Sequence, residues 1–180
     1  IGRAFVAVLG AETVVVGHDM RPSSPAMADA FAQGASLAGA DVVNIGLCST
    51  DGLYFASGHL GLPGVMFTAS HNPAQYNGIK MCRANAVPIG METGLADIRD
   101  AAIAGDFIDA AQPGSITVRD LLTDYAHHLH GLAPVSGRRL KVVVDAGNGM
   151  AGYTAPAVLS PLDLEIVEMY YELDGTFPNH

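Results

Sequence analysis

The chain has 180 residues, of which 49% are hydrophobic and 15% charged, a composition of globular proteins with a full core and not of disordered chains. Eighteen acidic residues against nine basic ones give a net charge of −9, which argues against a nucleic-acid backbone as partner. No apolar run is long enough to span a bilayer, and no small-residue cleavage pattern follows the short apolar stretch after Arg3, so neither a membrane nor a signal peptide is expected.

In chain order, Ile1 to Leu9 reads as the later part of a helix from a longer parent chain, stopped by Gly10. Thr13-Val14-Val15-Val16-Gly17 is a β-branched run of the kind found in strands buried on both faces. A loop from His18 to Ser23 leads to Ser24-Pro25, read as an N-cap with proline at the first helical position. The helix it opens runs through Met27, Ala30, Phe31, Gly34 and Leu37/Ala38 at 3-4 spacing. Asp41 to Leu47 is a second strand, and Ser49 or Thr50 caps a short helix that ends near Gly61. Val65 to Phe67 and Ile79 to Cys82 are two further strands, the first of them central. Between them Pro73 fixes its own φ and holds Asn72 extended, while Asn77-Gly78 is a tight-turn dipeptide.

Met91 to Ala104 and Thr117 to His130 read as amphipathic helices separated by the turn Gln112-Pro113-Gly114. A boundary is expected at Ala133 to Gly137. After it come a new buried strand, Leu140 to Asp145, a helix opened by Ala146-Gly147-Asn148-Gly149, and a strand from Leu164 to Tyr170. The alternation predicts an α/β fold: a three-layer, mostly parallel mixed sheet with flanking helices over residues 1–133, and the incomplete start of a second α/β domain over residues 134–180. In such sheets sites gather at the carboxyl ends of strands, and Ser70 follows directly on one.

Ser70, His71 and Lys80 are the chemical candidates. If the two strands pair, Ser70 and Lys80 stand at the feet of one loop. A hydroxyl nucleophile, an imidazole and an ammonium then share a small volume, which suits phosphoryl transfer. Other features have blander readings. His127, His128 and His130 resemble a metal cluster on paper, but successive helical residues diverge by roughly 100°, so a solvated helix end is favoured. Gly147-Asn148-Gly149, a Gly-rich strand-to-helix turn, has the form of a phosphate cradle, yet a motif this short is a weak signal and tight-turn geometry suffices. Cys48 and Cys82 fall in apolar segments and read as buried free thiols of a cytoplasmic protein.

Thr68-Ala69-Ser70-His71-Asn72-Pro73, followed by Asn77-Gly78-Ile79-Lys80, resembles the phosphoserine loop of the α-D-phosphohexomutases, and most closely their phosphomannomutase/phosphoglucomutase branch. Asp145-Ala146-Gly147-Asn148-Gly149 and Asp174-Gly175-Thr176-Phe177-Pro178-Asn179-His180 are similar to loops of that family's second domain. The resemblance implies an isomerase that interconverts hexose 1-phosphate and 6-phosphate through a phosphoserine and a hexose 1,6-bisphosphate. It implies Ser70 as the phosphoserine, with Mg²⁺ bound partly through its phosphate, and His71 or Lys80 in positioning or proton transfer. Asn72 then shapes the loop, and Arg21 supports it from behind, with an ordinary surface arginine as the rival reading.

The family's acidic metal loop, an Asp-Gly-Asp-x-Asp-Arg run, does not occur in these 180 residues. The chain is therefore expected to be an N-terminal fragment, inactive alone. Alternatives are a phosphoglucosamine mutase, or a non-catalytic phosphate-binding module that keeps the fold. A phosphorylated hexose is the expected ligand. Self-association through the unfinished second domain is expected as well.

Overall fold

A computed structural model describes residues 1–179; His180, the last residue of the Asp174–His180 motif, lies outside the described residues. Helix α1 (Gly2–Leu9) closes at Gly10 and leads into strand β1 (Thr13–His18), whose four middle residues are buried. Helix α2 (Ser24–Leu37), strand β2 (Asp41–Leu47), helix α3 (Thr50–Leu60) and strand β3 (Gly64–Phe67) follow. β1 lies between β2 and β3 and runs parallel to both. Strand β4 (Ile79–Arg83) returns antiparallel to β3, and the short β5 (Val87–Pro88) is antiparallel to β4. Helix α4 (Leu95–Ala104) then leads to strand β6 (Ile116–Val118), parallel to β2. The sheet order is β5-β4-β3-β1-β2-β6.

Alternation along the strands builds the three layers, because successive residues point to opposite faces. Val14 and Val16 of β1, with Val65 and Phe67 of β3, pack against Phe5 of α1, Phe31 and Ala32 of α2, and Ile98 of α4. Val15 and Met66 turn the other way, onto Leu53 and Ala56 of α3 and onto Leu121. Phe5, Phe31 and Phe67 meet edge to face, with ring centroids 5.6 and 5.8 Å apart, at a spacing favoured by the ring quadrupoles.

Several local expectations are corrected. Ser24 is the first residue of α2 rather than its cap, and its hydroxyl donates to Asp19 instead. The buried stripe of α2 is Ala28, Phe31, Ala32 and Ala35, not the one through Met27 and Ala30. Small residues form that seam because the helix lies close on the sheet, and hydrophobic weight alone points to the larger Met27. The helix expected from Met91 is interrupted at Gly94, whose φ of 132° an L side chain rarely adopts, so α4 starts one residue later. Thr117 and Val118 belong to strand β6, and the following helix α5 spans Leu122–Leu132.

In the second unit, strands β7 (Leu140–Asp145) and β8 (Leu164–Met169) pair in parallel around helix α6 (Ala151–Leu159). α6 packs on α5, where His130 Nε2 donates to the carbonyl of Val158 at 2.7 Å. β7 is not the buried strand expected from its sequence: Val143 is 59% exposed and Leu140 41%. Two strands and one helix can cover only one face of such a sheet. Beyond the strand ends, buried Asn148 ties the loops together. Its N–H donates to Tyr170 O at 2.9 Å and its Nδ2 to Glu172 O at 3.0 Å, while its own carbonyl accepts from Asp174 N at 3.0 Å. The Gly147-Asn148-Gly149 segment is thus a turn that anchors the Asp174–Asn179 loop, and Asn179 Nδ2 donates to Asn148 Oδ1 at 2.8 Å.

Candidate active site

The loop between β3 and β4 leaves the carboxyl end of a fully buried strand. Its base is closed by Thr68 N–H donating to Gly78 O at 3.1 Å, next to the paired residues Phe67 and Ile79. Asn77-Gly78 is not a tight turn, since the strands are joined by the whole segment from Thr68 to Gly78. Asn77 instead uses its side chain. Its Nδ2 donates to the hydroxyls of Ser23 and Ser24, both at 2.8 Å, and so fastens the loop to the start of α2. Inside the loop, Asn72 N–H and Asn72 Nδ2 both donate to Ala69 O, at 2.8 and 2.9 Å, and Tyr76 N–H donates to Pro73 O at 3.0 Å.

Ser70 stands at the crest, exposed, with a φ of 29°. A non-glycine residue in this region carries strain of about 1–3 kcal/mol and persists only where its surroundings impose it. Here one restraint is Thr68 Oγ1, which accepts from Ser70 N–H at 3.3 Å.

The larger restraint is Arg21. Its side chain is 1% exposed, and its guanidinium is directed into the back of the loop. Nη1 donates to Pro73 O at 2.9 Å and Tyr76 O at 3.0 Å, and Nη2 to Asn72 O at 2.8 Å and, at a longer 3.5 Å, to Ser70 O. Nε stands 3.3 Å from Asp19 Oδ2, an ion pair at an angle that leaves Nε without a hydrogen bond. Asp19, also buried, accepts Arg21 N–H at 3.0 Å and the Ser24 hydroxyl at 2.5 Å through Oδ1. One buried charge pair therefore organises four carbonyls of the loop, work for which a planar fork of donors is suited and a lysine is not.

The sequence candidates meet here to different degrees. Ser70, His71, Asn72 and Lys80 line one open groove of about 370 Å³ beside the loop. Lys80 is directly opposite Met66 across β3 and β4, which puts the two side chains on the same face of the sheet. Among the described residues neither the His71 nor the Lys80 side chain is held by a hydrogen bond or an ion pair. Arg21 does not line that groove. It borders a second cleft of about 190 Å³, shared with Asp19, Met20, Met66, Ser70, Met150 and Phe177. Ser70 thus stands between the two.

Asp19, Thr68, Asn77 and Phe177 complete the arrangement. The sequence alone assigned no supporting role to Asp19, Thr68, Asn77 or Phe177. Asp19 had one signal, its position two residues before Arg21 at a strand end; nothing in the letters places Phe177 against Arg21.

Cys48 is buried and donates to Met66 Sδ at 3.4 Å. Burial pushes its thiol up to about 12, so it is not a nucleophile for this cleft. Of the histidine trio, His128 lies against Phe55, with ring centroids 5.1 Å apart, and His130 is held by α6. Among the described residues no group of three or more His, Cys, Asp or Glu is placed to hold a metal ion. No described helix is long and apolar enough to cross a membrane.

Known proteins share this arrangement of sequence and fold. The family model described as phosphoglucomutase/phosphomannomutase, alpha/beta/alpha domain I, matches residues 1–108, and the domain II model matches residues 123–180. A phosphomannomutase of Salmonella typhimurium is 43% identical over 188 residues, covering 99% of this chain and 41% of the relative. A Xanthomonas campestris protein described as phosphohexose mutases is also 43% identical, covering 99% of this chain and 40% of its own length. The crystal structure of a phosphoglucomutase/phosphomannomutase family protein from Burkholderia thailandensis superposes with a TM-score of 0.86 at 35% identity, over 99% of this chain and 41% of that one. This chain spans about two fifths of the length of the curated relatives it matches. With domain I and the opening of domain II both matched, the chain belongs to the phosphoglucomutase/phosphomannomutase family.

Proposed function

We propose that the parent protein is a phosphohexomutase of the phosphomannomutase/phosphoglucomutase type, and that Ser70 is the residue that carries the phosphoryl group. The observation that supports this most is exposed Ser70, held on a strained crest between two clefts by a buried arginine whose guanidinium donates to the loop's carbonyls.

In the proposed reaction a hydroxyl oxygen of the hexose monophosphate attacks phosphorus of phosphoserine 70. The bond from phosphorus to Ser70 Oγ breaks, and the sugar becomes a bisphosphate. The reverse transfer, from the other phosphate of that sugar, restores phosphoserine. Each transfer needs a proton removed from the attacking hydroxyl, a proton delivered to the leaving oxygen (Ser70 Oγ in the first transfer, the sugar oxygen in the second), and a counter-charge for the phosphate, which carries about −1.5 to −2 charges at neutral pH. His71 and Lys80 are proposed for these tasks because both border the groove that Ser70 borders. General acid–base help of this kind contributes typically about 10²–10⁴-fold.

Mg²⁺ belongs to the proposal as the family's usual counter-ion, but the carboxylate nearest at hand does not fit it. Asp19 is engaged by Arg21 and Ser24. Among the described residues no group of three or more His, Cys, Asp or Glu is placed to hold the ion, which a phosphorylated Ser70 would hold in part, so no step above runs through it. We further propose the division into residues 1–133 and 134–180, a cytoplasmic location, and self-association through the exposed apolar residues of β7 and β8.

The test is turnover of mannose 1-phosphate to mannose 6-phosphate by the full-length protein and by its Ser70→Ala variant, with a trace of hexose 1,6-bisphosphate. Activity in the first and none in the second is expected. Equal activity in both removes Ser70 from the mechanism.

A further inference from the structure

We infer that Phe177, at the tip of the second unit's Asp174–Asn179 loop, is a positioning residue that sets the Ser70 loop through Arg21, coupling the placement of the second unit to the nucleophile. This rests on the reading of Ser70 given above.

The Phe177 ring covers the guanidinium of Arg21, with Arg21 Cζ 5.0 Å from the ring centroid. The edge of the guanidinium is taken up by loop carbonyls and Asp19, so the ring occupies a direction in which no hydrogen bond can compete. A cation over an aromatic face in a desolvated setting is among the stronger contacts of its kind. The tongue that carries the ring is rigid in its own right. Asp174 Oδ1 accepts both Thr176 N–H at 2.9 Å and Thr176 Oγ1–H at 2.7 Å, and Phe177 N–H donates to Asp174 O at 3.0 Å. Phe177 itself has a φ of 53°, a conformation that a phenylalanine adopts only when held there.

Contact with the first unit is close. A Cβ placed on Gly175 would lie 2.6 Å from Pro22 Cδ and 2.9 Å from Arg21 Cα, so only glycine lets the tongue reach this depth. Phe177 also borders two clefts that Ser70 borders: the one of about 190 Å³ shared with Arg21, and a third, more open one of about 580 Å³ shared with His71, Asn72 and Thr176. A rotation of the second unit that withdraws the ring would loosen Arg21 and, with it, the four carbonyls that hold the crest.

The experiment compares amide hydrogen exchange in the chain and its Phe177→Leu variant. Asn72 and Tyr76, whose N–H groups are bonded inside the loop, should exchange roughly tenfold faster in the variant. Val15 and Val42, in the central strands, should not change. Phe177→Tyr, which keeps a ring, should restore slow exchange. If Phe177→Leu does not fold, Gly175→Ala serves in its place, because its Cβ displaces the tongue while leaving the ring intact. Unchanged loop exchange, or an equal rise in the loop and the central strands, overturns the inference. Phosphate uptake by Ser70 in the unsubstituted full-length protein separates the two readings. No uptake with a loop-selective exchange effect refutes the Ser70 role and leaves the clasp standing; uptake without that effect does the reverse.

Discussion

Replacing Arg21 by Met keeps most of the side-chain volume and removes the charge, which leaves the Asp19 carboxylate buried without its partner. The four loop carbonyls that Arg21 serves come from exposed residues and can return to water, so their bonds add little to the cost. The stranded carboxylate cannot, because Asp19 is 4% exposed and keeps only Arg21 N–H and the Ser24 hydroxyl. Breaking one side of a buried pair costs about 3–5 kcal/mol, and that is the expected loss of stability for Arg21→Met. Adding Asp19→Asn removes the orphaned charge and should recover roughly 1–2 kcal/mol of it. Urea unfolding of the four members of this double-mutant cycle, followed by fluorescence of the tyrosines and by circular dichroism, gives the coupling directly. A cost below about 1 kcal/mol for Arg21→Met would mean that it behaves as a surface arginine, and would refute the account of the loop.

Two further outcomes follow from the side-chain environments. Cys48, pushed up to about 12 by burial, should stay a thiol at pH 8, so a disulfide-exchange reagent should titrate no cysteine in the folded chain and both on denaturation; rapid reaction in the folded state contradicts this. The hydroxyl and N–H of Thr176 hold the Asp174 carboxyl below its ordinary value. Its contribution to stability is therefore complete above the unfolded-state value and is lost as pH falls through the lower folded one. Thr176→Val should move the Asp174 titration upward in a carbon-detected NMR experiment, and an unmoved titration would show that the hydroxyl bond does not form in solution.

Much of this fold was legible because its strands are short β-branched runs with no competing pattern. Thr13–Gly17, Asp41–Leu47 and Val65–Phe67 each appear where alternation and turn residues put them. The misreadings share a cause. Ile116–Val118 is three residues long and borders an amphipathic helix, so a periodic window absorbs Thr117 and Val118 into α5. Asn77-Gly78 has the letters of a hairpin turn, but Asn77 is claimed by Ser23 and Ser24, contacts 53 and 54 residues away that no local rule can foresee.

The site divides along the same line. Ser70, His71 and Lys80 could be proposed because a strand-end loop of polar residues is a local pattern. Arg21 could be placed near that loop only through the resemblance, since its carbonyl partners lie some fifty positions away. The part played by Phe177 was out of reach, for it depends on how the second unit docks.

The most direct test is the intact mass of the full-length protein after incubation with glucose 1,6-bisphosphate. The account predicts a gain of one phosphoryl group, located on Ser70 by peptide mapping and lost in Ser70→Ala. No gain, or an equal gain in Ser70→Ala, would contradict the assignment of the nucleophile.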